Sequence, residues 1–182
     1  MTPPTRLERV RALLAERGLD ALLLSVGYDL PYLTGYHAMP LERLTMLALT
    51  GDTAVLVVPA LEVPRVAPRP DFEIRAWEET EDASGVVAGI VAGARSVAIG
   101  AQTWSRFLLA LQVHLPAATF TDATPLLREL RMRKGPEEVE ALAAAGAAVD
   151  AIAVEMRGAA WAGRTEAAVA AQVGRASCRE RV

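Results

Sequence analysis

Apolar positions along this chain switch between two spacings, and the switches mark its elements. Thr5-Arg6-Leu7-Glu8 has capping-box spacing, with Thr5 placed to accept the Glu8 N–H and Glu8 placed to reach back. Leu7, Val10, Leu13 and Leu14 then recur at helical spacing, and Gly18 follows as a natural residue just past a helix end. The pattern predicts a helix over about 6–17 with one buried stripe. Residues 20–26 form a short continuous apolar run, which suits a strand covered on both faces. Residues 27–37 hold two glycines, a proline and all three tyrosines, and read as a loop. Residues 44–50 and 53–59 read as two strands joined by Gly51-Asp52 in a tight antiparallel hairpin. A connection studded with Pro59, Pro64, Pro68 and Pro70 leads to a strand at 72–77. Val86, Val87, Ile90 and Val91 mark a helix, 96–100 a strand, and 103–115 a helix with Trp104, Phe107, Leu108 and Leu111 on its buried side. Residues 119–122 give the last strand, and Thr124-Pro125 opens a short helix. Helices alternating with buried strands predict an α/β layer.

The chain changes character across 126–142. Leu126, Leu127 and Leu130 share one side of the short helix, and Arg128, Arg131, Arg133 and Lys134 form a basic elbow, read as a solvated hinge. Gly135-Pro136 breaks the chain and starts a new helix, because proline fits the first helical position and Glu137 and Glu138 place negative charge on the first-turn N–H groups. Val139, Leu142, Gly146, Val149, Ile152, Ala153 and Met156 keep a three-four spacing to about residue 160. Thr165 is a plausible cap for a further helix reaching about 173. Residues 174–182 abandon this pattern abruptly and read as a translated sequencing adapter, with the natural frame cut near Val173; the alternative is a genuine basic tail.

Composition narrows the classes. Of 182 residues 52% are hydrophobic and 23% charged, and the mean hydropathy of +0.24 places the chain with soluble globular proteins. A net charge of −3 gives no electrostatic footprint for nucleic acid. No apolar signal core opens the chain and no uninterrupted apolar run approaches a membrane span, so a cytoplasmic location is expected. Cys178 is the one cysteine, which excludes an intramolecular disulfide and a cysteine metal cluster. The acids at 78–82 read as a solvated helix N-terminus rather than a hard-cation site, and His114 as a helix C-terminal cation rather than a ligand. Dinucleotide, P-loop and Gly-x-Ser-x-Gly fingerprints are absent.

Three strings point to one family. Tyr32-Leu33-Thr34-Gly35-Tyr36, then Leu127-Arg128 followed by Lys134 and Pro136-Glu137-Glu138, then Gly163-x-Thr165-Glu166 occur in this order. Over about 6–173 the chain resembles the N-terminal part of aminopeptidase P and prolidase-like Xaa-Pro peptidases, relatives of creatinase. The resemblance implies a creatinase-like N-terminal α/β domain over 1–131, a mixed sheet flanked by helices. It implies that 132–173 are the first helices of a truncated "pita-bread" catalytic domain. The dinuclear site of that domain, two Asp, one His and two Glu, would lie downstream of this chain, so no catalytic residue and no metal ligand is expected here. The implied parent is a cytoplasmic homodimeric hydrolase that binds two divalent ions (Mn, Co or Zn) and cleaves proline-containing peptides before the proline. A homo-oligomer forming through the N-terminal domain is implied, with no nucleic-acid or membrane partner. In the family this domain helps close a neighbouring subunit's active site, which makes Tyr36 and His37 substrate-proximal candidates; by themselves they read as a surface aromatic and an unliganded histidine. Gly135 departs from the polar cap of relatives and weakens that cap. Two rivals remain: a stand-alone dimerisation module, and a fragment of a creatinase-like amidinohydrolase without the metals. Truncation predicts that Val139, Val149, Ile152 and Met156 present uncovered apolar surface.

Overall fold

The structure, a computed structural model, describes residues 4–179. The last three residues of the predicted tail lie outside them. The chain divides into two compact units, Met1–Arg131 and Met132–Val182.

In the first unit, helix α1 (Arg6–Glu16) starts from the capping box its sequence predicts, with Thr5 Oγ1 accepting the Glu8 N–H at 3.2 Å and the Glu8 carboxylate accepting the Thr5 N–H at 2.6 Å. Strand β1 (Ala21–Leu24) is buried at every position, as a continuous apolar run requires when both faces of a sheet are covered. Five further strands flank it: β2 (Met46–Thr50), β3 (Ala54–Pro59), β4 (Glu73–Trp77), β5 (Ser96–Ile99) and β6 (Thr119–Asp122). Their order is β4-β3-β2-β1-β5-β6. β2 runs antiparallel to both β1 and β3, while β1–β5, β3–β4 and β5–β6 are parallel. The sheet is therefore mixed, and the predicted hairpin around Gly51-Asp52 is present.

Alternation along the strands divides two cores. Leu22, Leu24, Leu47, Leu49 and Leu56 face α1, α2 (Asp29–Thr34) and α5 (Thr124–Met132). Ala21, Leu23, Met46, Ala48 and Val57 face α3 (Ala83–Ile90) and α4 (Ser105–His114). Asp20 fastens β1 to β5 at their start: its carboxylate accepts the Arg95 and Ser96 N–H groups at 2.8 and 2.9 Å. These backbone bonds, Arg95 first, hold its carboxyl below the usual carboxylate range.

Three expectations need correction. The loop at 27–37 contains α2, because Pro31 falls in its first turn, where its missing N–H costs nothing. The proline-rich connection contains a 3-10 helix, Ala60–Arg65. Trp104 does not lie on the buried side of α4; it is the N-cap residue, 38% exposed, with its ring stacked 6.0 Å from that of Phe107.

The second unit holds α6 (Pro136–Gly158) and α7 (Glu166–Arg179). The Glu138 carboxylate accepts the Gly135 N–H at 2.9 Å, but glycine returns no side-chain acceptor, so half of a capping box forms. No residue of α6 is buried. Val139 and Val149 are exposed as expected, joined by Leu142 and Val154, whereas Ile152 and Met156 are half-buried. Helix α7 continues past Val173, where the sequence pattern predicts its end, to Arg179.

Candidate functional site

β1 and β5 are parallel neighbours whose onward chains part, β1 feeding α2 and then β2 on one side, β5 feeding α4 and then β6 on the other. Loops leaving such a pair separate and open a crevice at the carboxyl ends of the strands, the usual ligand position in open α/β sheets. Here the crevice holds a cavity of about 530 Å³, lined among others by Tyr28, Pro31, His37, Pro40, Gln102 and Trp104. Tyr28 is 75% exposed. Gly27 lets the two loops approach: its φ is +136°, and a Cβ there would sit 1.9 Å from Gln102 Oε1. Only glycine adopts that backbone without strain. A smaller cavity of about 30 Å³ adjoins, and Thr103 Oγ1 on its wall is buried without a hydrogen-bond partner among the described residues.

The chain reaches this crevice through the end of α2. Thr34 Oγ1 donates to Leu30 O at 2.8 Å and accepts the Tyr36 N–H at 3.1 Å, while Gly35, at φ +75°, closes the helix. This tight exit sends consecutive side chains to opposite sides. Tyr36 is 5% exposed, so it is a core residue and not the surface aromatic its sequence context suggests. Its hydroxyl donates to the buried carboxylate of Glu62, which Arg65 also pairs with at 3.0 Å. Burial, and then that hydrogen bond, push the Tyr36 phenol up to about 12. His37 is exposed and lines the cavity.

On its other side α2 meets the end of α5. The Tyr32 ring lies beneath the Arg6 guanidinium at 4.2 Å and near that of Arg131 at 5.7 Å, and Arg131 pairs with Asp29 at 2.7 Å. Part of the basic elbow is thus fastened by an ion pair while remaining exposed. The acids at 78–82 are likewise engaged. Glu79 pairs with Arg43 and Glu81 with Arg75. Asp82 caps α3 through the Ser84 N–H and meets His114, in the last turn of α4, at 2.7 Å. Among the described residues no three His, Cys, Asp or Glu side chains gather as metal ligands.

Sequence reasoning missed Tyr28, Gln102 and Trp104 as cavity residues. Their one local signal is an aromatic just outside each helix start, since Tyr28 and Trp104 are the N-cap residues of α2 and α4.

With this geometry in hand, residues 6–133 match the family described as the Creatinase/Prolidase N-terminal domain. The probable dipeptidase PepE of Mycobacterium bovis is 35% identical over 177 residues, covering 94% of this chain and 47% of that protein. The crystal structure of dipeptidase PepE from Mycobacterium ulcerans superposes with a TM-score of 0.87 at 36% identity, over 96% of this chain and 48% of that one. The N-terminal domain of an Xaa-Pro dipeptidase from Lactobacillus brevis superposes with a TM-score of 0.62 at 25% identity, over 69% of this chain and 99% of that one. The chain spans about half the length of the curated relatives it matches.

Proposed function

This chain belongs to the creatinase/prolidase N-terminal domain family, and from that premise we propose that it is the non-catalytic N-terminal portion of a metal-dependent Xaa-Pro peptidase. The observation that carries the reading is the 35% identity along 94% of the chain to one half of a dipeptidase. Two divalent ions, Mn, Co or Zn, would supply the hydroxide and polarise the scissile carbonyl in the whole enzyme. The described residues of this chain do not fit that ligand set, and no step through the metals falls to them.

What this chain contributes is a wall. In a homo-oligomer built through this domain, the crevice faces a neighbouring subunit's substrate. Tyr28, Pro31, Pro40 and Trp104 offer flat apolar surface to a prolyl ring, and the His37 imidazole offers a hydrogen bond to the peptide. Tyr36 stays beneath, fixing the turn that presents His37.

The test is a chimera joining residues 1–173 to the carboxyl half of the M. bovis relative, assayed on Xaa-Pro dipeptides with added Mn. The chimera should cleave them and the 182-residue chain should not. His37→Ala in the chimera should raise KM about fivefold, the value of one hydrogen bond of about 1 kcal/mol, with kcat little changed. Turnover by the short chain alone, or an inactive but folded chimera, overturns the reading.

A further inference from the structure

Among the described residues two buried side-chain oxygens have no hydrogen-bond partner, Tyr32 Oη and Thr103 Oγ1. A buried hydroxyl left unbonded costs a folded chain stability, so its presence calls for an explanation. Tyr32 lines neither cavity of the crevice, whereas Thr103 lines the smaller one. The Thr103 backbone is held in place. Its N–H donates to Gly100 O at 3.0 Å, and the Gly100 N–H donates to Leu23 O at 2.9 Å, which ties the turn after β5 to the end of β1. A Cβ on Gly100 would crowd Leu24 Cδ2 at 3.0 Å and stand 3.7 Å from Thr103 Oγ1, so glycine keeps the space beside the hydroxyl open. The other hydroxyl on this wall, Ser25 Oγ, donates to Thr45 O at 3.0 Å, and the one charged residue there, Asp29, pairs with Arg131 at 2.7 Å. What the small cavity offers is therefore neutral hydrogen bonding, from Thr103 beside the Gln102 amide, and that suits an uncharged oxygen.

At about 30 Å³ the smaller cavity admits a single water-sized group. It shares Val26, Gly27 and Gln102 with the larger one, so one ligand can reach both. We propose that Thr103 is a ligand-binding residue of the crevice: a prolyl ring fills the larger cavity, and a carbonyl oxygen of the same peptide enters the smaller one and accepts the Thr103 hydroxyl. The choice of ligand rests on the function proposed above. A prolyl residue meets both demands, because a carbonyl carbon is bonded to its ring on each side, at the nitrogen and at Cα. Thr103 then has an unbonded hydroxyl in the free chain and a bonded one in the complex. Removing that hydroxyl should leave the fold unharmed and weaken the complex, which a purely structural threonine would not do.

Thr103→Val keeps the shape of the side chain and removes the hydroxyl. In urea unfolding of the 182-residue chain its midpoint should equal or exceed that of the wild type, since no bond within the chain is lost. Titration of the same chain with N-acetylprolinamide, followed by the amide resonances of residues 27–28 and 100–104, reads the binding directly. Thr103→Val should bind about fivefold more weakly than the wild type, and Thr103→Ser, which keeps the hydroxyl, should bind as the wild type does. A role in the fold alone predicts the reverse, a lower midpoint with unchanged binding. A lowered midpoint for Thr103→Val, outright unfolding included, overturns the proposal. So does equal affinity of Thr103→Val and wild type, or a wild-type chain whose crevice resonances do not respond to the ligand. The peptidase reading is tested separately by the chimera: a chimera that cleaves Xaa-Pro dipeptides beside a chain that ignores N-acetylprolinamide removes only the role of Thr103, whereas an inactive chimera beside a Thr103-dependent titration removes only the peptidase.

Discussion

Substituting Tyr36→Phe should change how stability depends on alkaline pH. The folded phenol is pushed up to about 12 from its ordinary 10.0, chiefly by burial. Its proton is therefore held more tightly in the folded chain than in the unfolded one. A group raised in this way contributes stability that is complete below the unfolded value and lost as pH climbs through the folded one. The full two-unit difference corresponds to about 3 kcal/mol. About half of it should be gone by pH 11, one unit above the unfolded value. At pH 8 the variant should be the less stable chain by about 1–2 kcal/mol, because the buried Glu62 loses one of two partners and keeps Arg65. The stability gap between the two proteins should accordingly narrow between pH 8 and pH 11. Urea unfolding at closely spaced pH values, followed by far-ultraviolet circular dichroism, reads the gap directly. Parallel curves, or a gap that widens with pH, would refute the argument that the phenol is buried against a carboxylate.

Three other substitutions probe the scaffold. Gly27→Ala forces an L side chain into φ +136° against Gln102, and should destabilise the chain by about 1–3 kcal/mol in urea unfolding through backbone strain; an unchanged midpoint would mean that the loop relaxes freely. Leu22→Ala removes a fully buried side chain from β1 and should cost about 2–5 kcal/mol, while Leu142→Ala on α6, at a position 58% exposed, should stay within about 0.5 kcal/mol by the same measurement.

Elements whose signals are local were legible in the sequence. The Thr5–Glu8 capping box, the buried run of β1 and the hairpin at Gly51-Asp52 each follow from neighbours within a few positions, and each is present. The 27–37 stretch reads as a loop because Gly and Pro are frequent in it, yet Pro31 falls where a helix tolerates it. Trp104 departs from its sequence pattern for a related reason. Three-residue spacing to Phe107 suggests one helical face, but a residue at the N-cap has not yet entered the helix, so its ring stacks over the first turn and stays half in solvent. The crevice was not legible at all. It exists because β5, distant in sequence, inserts beside β1 in parallel register, and no local period records which strands will be neighbours.

The Thr34-Gly35-Tyr36-His37 string shows why a motif need not act as a unit. Thr34 and Gly35 end α2 within one turn, and the turn fixes the directions of the next two side chains. Tyr36 goes inward to a carboxylate that is itself 8% exposed. A buried carboxylate is costly unless it is hydrogen-bonded and paired, and Glu62 has both kinds of partner, Tyr36 and Arg65. Those three side chains tie the 3-10 helix after β3 to the exit of α2. With its root fastened there, the His37 backbone is held at the cavity wall. An apolar residue at position 36 of similar volume would keep the packing but release the tie. Tyr36 is thus the anchor of the string, and on the proposed function His37 is the residue it presents. The two roles separate by measurement: loss of Tyr36 should show first in stability and its pH dependence, and loss of His37, on the proposed function, in the KM of the chimera.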